Sequence, residues 1–245
     1  MSAHASTPQV LSILVPVYNE ETTLPTLLER VLKCSVNLEL EIVCVDDGSA
    51  DRSLEILREW AADDPRIVVV AHDANRGKGA AVRSAIDAMS GDVALIQDAD
   101  LEYDPAEYGR LLAPILSGDA DVVYGSRFAG SAERRVLYFW HSLGNKTLTG
   151  LTNVLNNLNL TDMETCYKAF RGDFLRSLRL TANDFRIEAE LTTRSAAARA
   201  RIYEIPISYH GRTYAEGKKI RWTDGVLAIL AIFRYRFFDR RIYRT

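Results

Sequence analysis

The chain has 245 residues, which is long enough for one large domain or two small ones with a sizeable core. Its 47% hydrophobic and 26% charged residues are typical of soluble globular proteins. The 30 Lys and Arg residues nearly balance the 33 Asp and Glu residues, which argues against a general nucleic-acid-binding protein. Local clusters of charge therefore carry more information than the total.

Cysteine content and hydrophobic runs indicate the compartment. Cys34, Cys44 and Cys166 are odd in number and lack a C-x-x-C spacing, so neither a disulfide framework nor a zinc site is predicted. Residues 1–9 are small and polar and predict a flexible tail rather than a secretion signal. No apolar run approaches the ~20 residues that cross a bilayer. We therefore expect a cytoplasmic protein without a membrane-spanning helix, and contact with a membrane surface stays open.

The first half alternates short β-rich runs with helical patterns, which predicts βαβ units and a mostly parallel sheet. The predicted strands, in chain order, are residues 11–17, 41–45, 67–71, 92–97 and 121–124. Apolar residues from Leu24 to Leu32 recur at helical spacing and predict one buried helix face. Asp51 is placed to cap the next helix, and Gly118 to end the helix that begins near Tyr108.

The second half is less regular. Its predicted elements are a partly helical stretch at 134–160, a helix at 188–199 and strands at 166–170 and 202–208. The last segment, 222–243, mixes aromatic and aliphatic residues with arginines, a pattern typical of a helix that lies in a membrane interface. The predicted division of the chain is a tail (1–9), an α/β domain (10–221) and an amphipathic basic helix (222–245).

A cluster of carboxylates follows the fourth predicted strand. Asp98 and Asp100 come directly after the hydrophobic run 93–96, and Glu102 adds a third acid. Open α/β sheets bind ligands at the carboxyl ends of their strands, and hard oxygen donors at this spacing suit Mg²⁺ or Mn²⁺. An acidic surface turn is the alternative for this cluster taken alone.

Polar clusters also follow the other strands of the first half. They are Tyr18-Asn19-Glu20, Asp46-Asp47 and the loop 75–79. Because the carboxyl ends of parallel strands share one edge of a sheet, clusters that are distant in sequence are expected to meet there. This convergence favours a ligand site over surface decoration.

Four motifs combine in a specific order and spacing. They are Leu-Val-Pro-Val-Tyr-Asn-Glu at 14–20, Val-Asp-Asp-Gly-Ser at 45–49, Asn-Arg-Gly-Lys-Gly at 75–79 and Asp-Ala-Asp at 98–100. Together they resemble the family-2 glycosyltransferases of GT-A fold, over roughly residues 10–235. The resemblance implies a Rossmann-like, mostly parallel sheet flanked by helices, with 10–221 as the catalytic domain that binds a nucleotide-diphospho-sugar.

The resemblance implies a metal-assisted reaction of a UDP- or GDP-sugar. A divalent ion, Mg²⁺ or Mn²⁺, at Asp98 and Asp100 would neutralise the charge that builds on the leaving diphosphate. Glu102 is a third ligand on this reading, and a water-mediated or structural role is the alternative.

Family positions around the nucleotide correspond to several residues of the first half. They are Pro16, Tyr18, Glu20, Asp46 and Asp47. Plain turn chemistry is the alternative at Pro16 and Gly48. Arg76 and Lys78 offer cations to the nucleotide or its phosphates, with glycines beside them that let the backbone approach closely, and a solvated basic turn is the alternative.

Motifs of the second half are similar to the dolichol-phosphate mannosyltransferase and polyprenyl-phosphate glycosyltransferase branch. The cations that such a phosphate acceptor implies are Arg127, Arg212, Lys218 and Lys219. Glu190 matches a Glu of that branch and is predicted to act in the chemistry, with Glu188 as the nearby alternative or with neither as a base. Asp162 and Glu164 fall where the family has a polar motif near the acceptor, and their role is open.

The sequence thus predicts a metal-dependent, inverting glycosyltransferase that moves a sugar from a UDP- or GDP-sugar to a polyprenyl phosphate at the cytoplasmic membrane face. A soluble saccharide or cell-envelope precursor is the alternative acceptor. Two other classes of protein also place acids at strand ends, and both are weaker alternatives. The first, a sugar-phosphate nucleotidyltransferase, would need a glycine-rich loop after the first strand, but residues 16–20 of this chain are Pro-Val-Tyr-Asn-Glu. A Mg²⁺-binding receiver module would be about half this length.

Overall fold

The structure is a computed structural model that describes residues 9–130, 135–136, 138–212, 222–239 and 241–244, with backbone alone for 222–224. Residues 1–8 of the predicted tail lie outside these ranges. The predicted acceptor cations Lys218 and Lys219 also lie outside them.

The described residues form one seven-stranded sheet. Its strands are β1 Val10–Val17, β2 Glu39–Asp46, β3 Ile67–Ala71, β4 Val93–Ile96, β5 Val122–Ser126, β6 Lys168–Arg171 and β7 Ile202–Pro206. Their spatial order is β3-β2-β1-β4-β6-β5-β7. β6 is antiparallel to both of its neighbours and the other pairs are parallel, so the predicted mostly parallel sheet is confirmed.

Helices cover the sheet on the described part of the chain. They are α1 Leu24–Leu32, α2 Ser53–Asp63, α3 Lys78–Ala88, α4 Tyr108–Leu116, α5 Phe139–Asn156, α6 Gly172–Ser177, α7 Ile187–Ala197 and α8 Trp222–Phe233. Asp51 was predicted to cap α2, but the N-cap residue is Arg52; the side chain of Asp51, one position earlier, accepts a hydrogen bond from the backbone N–H of Ser53. Gly118 follows α4 with a φ of 81°, a left-handed conformation that ends a helix.

The centre of the sheet determines where the site lies. Leu14 of β1 stands between Val43 of β2 and Ile96 of β4, and all three side chains are almost fully buried. Strands buried on both faces read as continuous hydrophobic runs, which explains why these elements were predictable. Polar residues stand at or directly after the carboxyl ends of β1, β2 and β4, and these ends share one edge of the sheet.

The predicted continuous helix over 222–243 is wrong in its last part. After α8 the chain makes a π-helical turn over Arg234–Phe238 and then turns back along the protein. Tyr243 pairs with Leu178 in an antiparallel bridge, and the N–H of Arg179 donates to the carbonyl of Ile242. These backbone bonds join the end of the chain to residues 177–179 in place of a continued helix.

None of the helices in the described ranges has the length and apolar character needed to cross a bilayer.

Candidate functional site

The acid pair lies at the carboxyl end of β4, where a buried amide supports it. Tyr108 donates a hydrogen bond from its hydroxyl to Gln97 at 2.9 Å, and the Gln97 amide donates to the Asp98 carbonyl at 2.9 Å. Gln97 is fully buried. The loop that carries Asp98 and Asp100 is therefore held by the core, which positions both carboxylates at the edge of the sheet.

Lys78 connects Asp98 to a second carboxylate from the other half of the chain. Its ammonium lies 2.9 Å from Asp98 Oδ1 and 3.2 Å from Glu188 Oε1. Glu188 also pairs with Lys168, which is fully buried. Burial alone would favour the neutral amine, but the charges of Asp98 and Glu188 raise the pKa of Lys78 well above its ordinary value. The sequence predicted Lys78 at the site but not its pairing with Glu188, because α7 is distant in sequence.

Asp100 faces an arginine from the segment that follows β7. One nitrogen of Arg212 lies 3.2 Å from Asp100 Oδ2 and 3.2 Å from Glu20 Oε1. Burial, followed by the negative charges of Asp98 and Glu102, raises the pKa of Asp100 to about 7. The structure thus places Arg212 beside the acid pair and joins it to the predicted nucleotide residue Glu20.

The Glu102 carboxylate is held by residues of the segment that follows β7. It accepts hydrogen bonds from the Tyr209 hydroxyl at 2.6 Å and from the backbone N–H of Arg212 at 2.7 Å. Across the described ranges no three His, Cys, Asp or Glu side chains are grouped so that they could hold a metal. Asp98 and Asp100 nevertheless fit Mg²⁺ or Mn²⁺, since such ions bind one or two carboxylates and take further oxygens from water and substrate phosphates.

Asp47 organises the loop that follows β3. Its carboxylate accepts hydrogen bonds from the backbone N–H groups of Arg76 at 2.9 Å and Gly77 at 2.7 Å. His72 Nδ1 lies 2.7 Å from the same carboxylate, and His72 Nε2 lies 2.9 Å from the Ser84 hydroxyl. His72 is buried. Its position directly after β3 was the signal that links it to the site.

The remaining predicted nucleotide residues differ in exposure. Asp46 is buried, and while one of its oxygens accepts from the Ser49 N–H, the other has no hydrogen-bond partner in the described residues. Tyr18 is 38% exposed, and the side chain of Arg76 is also exposed. Pro16 lies in register with Val45 at the end of β1. These residues border the carboxyl edge of the sheet, as expected from strand ends that lie at the same edge.

The glycines of loop 75–79 approach protein backbone. A Cβ on Gly77 would lie 2.4 Å from the Asn183 carbonyl oxygen, and one on Gly79 would lie 2.5 Å from the Ala182 carbonyl oxygen. Gly77 also has a φ of 94°. At these glycines the backbone approaches the segment before α7, and the predicted close approach to a nucleotide stays a prediction.

Arg127 lies in a bidentate ion pair. Its guanidinium donates to both oxygens of Asp162, at 2.6 and 2.7 Å, and its centre lies 5.1 Å from the Tyr209 ring. Asn145 from α5 donates to the same carboxylate at 3.1 Å. Asp162, whose role the sequence left open, is therefore the partner that orients Arg127.

The structure does not join Glu190 to the acid pair. Its carboxylate is fully buried and accepts from the backbone N–H groups of Thr181 at 2.8 Å and Ala182 at 2.7 Å. Arg194 pairs with it at 2.6 Å. Five donor groups reach the carboxylate, counting the Thr181 hydroxyl and two nitrogens of Arg194. Glu188, the predicted alternative, is the α7 acid that reaches Asp98 through Lys78.

Comparison with known proteins identifies the family. The family model described as Glycosyl transferase family 2 matches residues 12–179, and the chain belongs to this family. The undecaprenyl-phosphate 4-deoxy-4-formamido-L-arabinose transferase of Edwardsiella ictaluri is 32% identical over 216 residues, which cover 86% of this chain and 63% of that protein. The dolichol-phosphate mannosyltransferase of Pyrococcus furiosus is 27% identical over 210 residues, covering 85% and 58%. The chain spans less than two thirds of the length of these relatives.

Solved structures confirm the GT-A fold. Glucosyl-3-phosphoglycerate synthase from Mycobacterium tuberculosis, in complex with Mn²⁺, UDP and glucosyl-3-phosphoglycerate, superposes with a TM-score of 0.70 at 19% identity, covering 94% of this chain and 80% of that one. The same enzyme with phosphoglyceric acid has a TM-score of 0.71 at 20% identity, covering 93% and 80%.

Proposed function

We propose that the protein is a metal-dependent, inverting glycosyltransferase that moves a sugar from a UDP- or GDP-sugar to a polyprenyl phosphate. The observation that carries the proposal is the meeting of Asp98 and Asp100 with Lys78 and Arg212 at one edge of the sheet. Relatives named for undecaprenyl-phosphate and dolichol-phosphate substrates support the acceptor class.

Asp98 and Asp100 would hold the divalent ion, Mg²⁺ or Mn²⁺. When bound, the ion would stabilise the negative charge of the departing nucleoside diphosphate. The Mn²⁺ and UDP in a structural neighbour support this assignment. Glu102 would act beside them by holding Tyr209 and the Arg212 backbone, because its carboxylate is already engaged there.

Residues of the donor edge, defined here as 16–20, 46–47, 76–78 and 98–102, would bind the nucleotide sugar. Asp47 would hold the backbone of Arg76 and Gly77, and Arg76 would present its exposed guanidinium to the nucleotide or its phosphates. Lys78 would place a second cation beside Asp98. The remaining proposed donor contacts are made by Pro16, Tyr18, Glu20 and Asp46.

The acceptor side, defined here as Arg127, residues 162–168 and Glu188, would receive the lipid phosphate. Arg127 is oriented by Asp162, and a bidentate guanidinium is well suited to phosphate oxygens. Arg212 lies between the two regions, and Lys218 is proposed as a further cation for the acceptor. A phosphate is already an anion near neutral pH, so attack on the sugar does not require Glu190 or Glu188 as a general base.

Contact with the cytoplasmic membrane face is proposed through α8 and the turn after it. Leu230 is 60% exposed and Phe238 is 85% exposed. Arg234 and Arg236 are exposed in the same segment. Apolar side chains flanked by arginines suit the interface of an anionic membrane, where the acceptor lipid would be found.

The proposal is tested by transfer assays with labelled UDP- and GDP-sugars, Mn²⁺ or Mg²⁺ and a short polyprenyl phosphate. We expect label in the organic phase, and none when the matched polyprenol without phosphate replaces the lipid. Nucleotide release that is equal with and without lipid phosphate would contradict the proposed acceptor. Transfer to an added soluble saccharide, independent of lipid, would favour the alternative acceptor class.

A further inference from the structure

Glu164 lies on the acceptor side in a position that topology determines. β6 runs antiparallel to β4, with Lys168 opposite Ile96. Residues that precede β6 therefore run beside residues that follow β4. The N–H of Cys166 donates to the hydroxyl of Tyr103 at 3.3 Å, which confirms that the segment before β6 packs against the acidic loop. Glu164 thus stands at the edge of the sheet that carries Asp98.

Among the residues that the structure describes, the cations near Glu164 are paired with other carboxylates. Glu188 pairs with both Lys78 and Lys168, and Asp162 pairs with Arg127. Glu164 makes no hydrogen bond or ion pair to any residue that the structure describes, and its Oε1 is buried without a partner. A carboxylate oxygen buried in this state is costly, because neither water nor a donor compensates it.

The same environment favours the protonated form of Glu164. Burial first, and then the negative charge of Glu188, raise the pKa of Glu164 to about 7, while Lys168 and Arg127 oppose the shift. Asp162 adds a further negative charge nearby. A protonated carboxyl is a hydrogen-bond donor, and a donor is the group that an incoming phosphate dianion requires.

We propose that the Glu164 side chain donates a hydrogen bond to the phosphate group of the acceptor. This inference rests on the proposed polyprenyl-phosphate acceptor. In the transfer step a phosphate oxygen forms the bond to the anomeric carbon, and the bond from that carbon to the nucleoside diphosphate breaks. The proton stays on Glu164 throughout. The hydrogen bond orients the phosphate beside Arg127 and relieves the buried oxygen of Glu164.

Two variants of Glu164 separate this role from that of a general base. Glu164→Gln keeps an N–H donor of similar shape, and Glu164→Ala removes it. We expect the Gln variant to keep lipid-phosphate transfer within about fivefold of wild type, and the Ala variant to lose about 100-fold, the typical cost of one lost oxyanion donor. Glu41→Gln is the matched control, since Glu41 binds Ser12 and Ser90 elsewhere on the protein.

The pH dependence is the readout that a purely structural role would not change. As Glu164 ionises above pH 7, wild type loses its donor and the Gln variant keeps its own, so the ratio of Gln to wild-type activity should rise with pH. If the Gln variant is as inactive as the Ala variant, Glu164 acts as a general base and the proposal is overturned. Equal activity of Gln, Ala and wild type also overturns it.

Binding of the lipid phosphate provides a check that does not depend on turnover. Calorimetric titration with short polyprenyl phosphate should give about tenfold weaker binding to Glu164→Ala than to Glu164→Gln at pH 6.5, the ~1.4 kcal/mol of one net hydrogen bond. Equal affinities would contradict the proposal. If wild type transfers no sugar to any lipid phosphate, the proposed function itself fails, and this inference falls with it.

Discussion

The donor edge and the acceptor side are built in different ways. At the donor edge, short loops follow parallel strands directly, and Asp47 is held by backbone N–H groups of Arg76 and Gly77. On the acceptor side, side chains from separate segments pair with one another, as Arg127 does with Asp162 and Glu188 with Lys168. Backbone hydrogen bonds thus position the Asp47 loop of the donor edge, whereas buried charge pairs position the acceptor groups. Loss of a donor group should therefore remove activity, and loss of an acceptor-side charge should first remove stability.

The largest expected effect is at the donor edge. Asp100→Ala should reduce transfer at least about 1,000-fold, because the metal loses one of its two proposed carboxylates. Asp104→Ala in the same loop is the control, since Asp104 caps the backbone N–H of Ala106 instead of facing the acid pair. Steady-state transfer rates measure both variants. Retained activity in Asp100→Ala would refute the metal assignment.

A buried lysine of the acceptor side should give the largest loss of stability. Lys168→Met leaves Glu188 with Lys78 as its single cation in this cluster and should lower the free energy of unfolding by about 3 kcal/mol. Lys33→Met removes a helical pair with Glu29 whose side chains are 72% and 56% exposed, and should leave the free energy of unfolding almost unchanged. Urea denaturation checks both. Equal losses would break the distinction between the two regions.

Glu190 is expected to act on stability rather than chemistry. Glu190→Gln weakens its pair with Arg194 and its hold on the Thr181 and Ala182 backbone, and should cost about 2 kcal/mol. The maximal rate should stay within a few-fold of wild type, because the carboxylate touches no group of the donor edge. Rates and unfolding free energies measured on the same preparation test this. A loss of rate of 1,000-fold without loss of stability would restore Glu190 to a chemical role.

The raised pKa of Glu164 predicts a pH-dependent stability. Its folded pKa of about 7 lies above the ordinary value of 4.5, so the folded state binds more protons between these values. The contribution of this group to wild-type stability should therefore be greatest below about pH 4.5 and should fall by about 3 kcal/mol as the pH rises through 7. Glu164→Gln should lack this fall. Parallel slopes for the two proteins between pH 5 and 8 would contradict the assignment.

The smallest expected effect concerns the membrane. Leu230→Glu should weaken binding to anionic vesicles about tenfold, because one exposed leucine contributes roughly 1.5 kcal/mol on burial. Leu116→Glu on α4 is the control, since that leucine is also exposed, at 40%, but lies on another element. Co-sedimentation measures both. An equal effect of the two substitutions would remove α8 as the contact.

The same contrast explains what could be predicted from the sequence. The strands and the acid pair were predictable because hydrophobic runs end in polar residues, and parallel topology brings these ends together. The pairings of Glu188 with Lys78 and of Asp162 with Arg127 were not, because no local pattern relates residues about 35 to 110 positions apart. The end of the last helix was also missed, since its stop depends on Leu178 and Arg179 from a distant segment.

Metal binding at the acid pair is most directly measured without turnover. Mn²⁺ titrated into the protein with UDP or GDP can be followed by the loss of the free-ion signal in electron paramagnetic resonance. One Mn²⁺ per chain is expected for wild type, with affinity at least about tenfold weaker in Asp100→Asn. Equal Mn²⁺ affinity in the two proteins would contradict a metal-dependent donor site at Asp98 and Asp100.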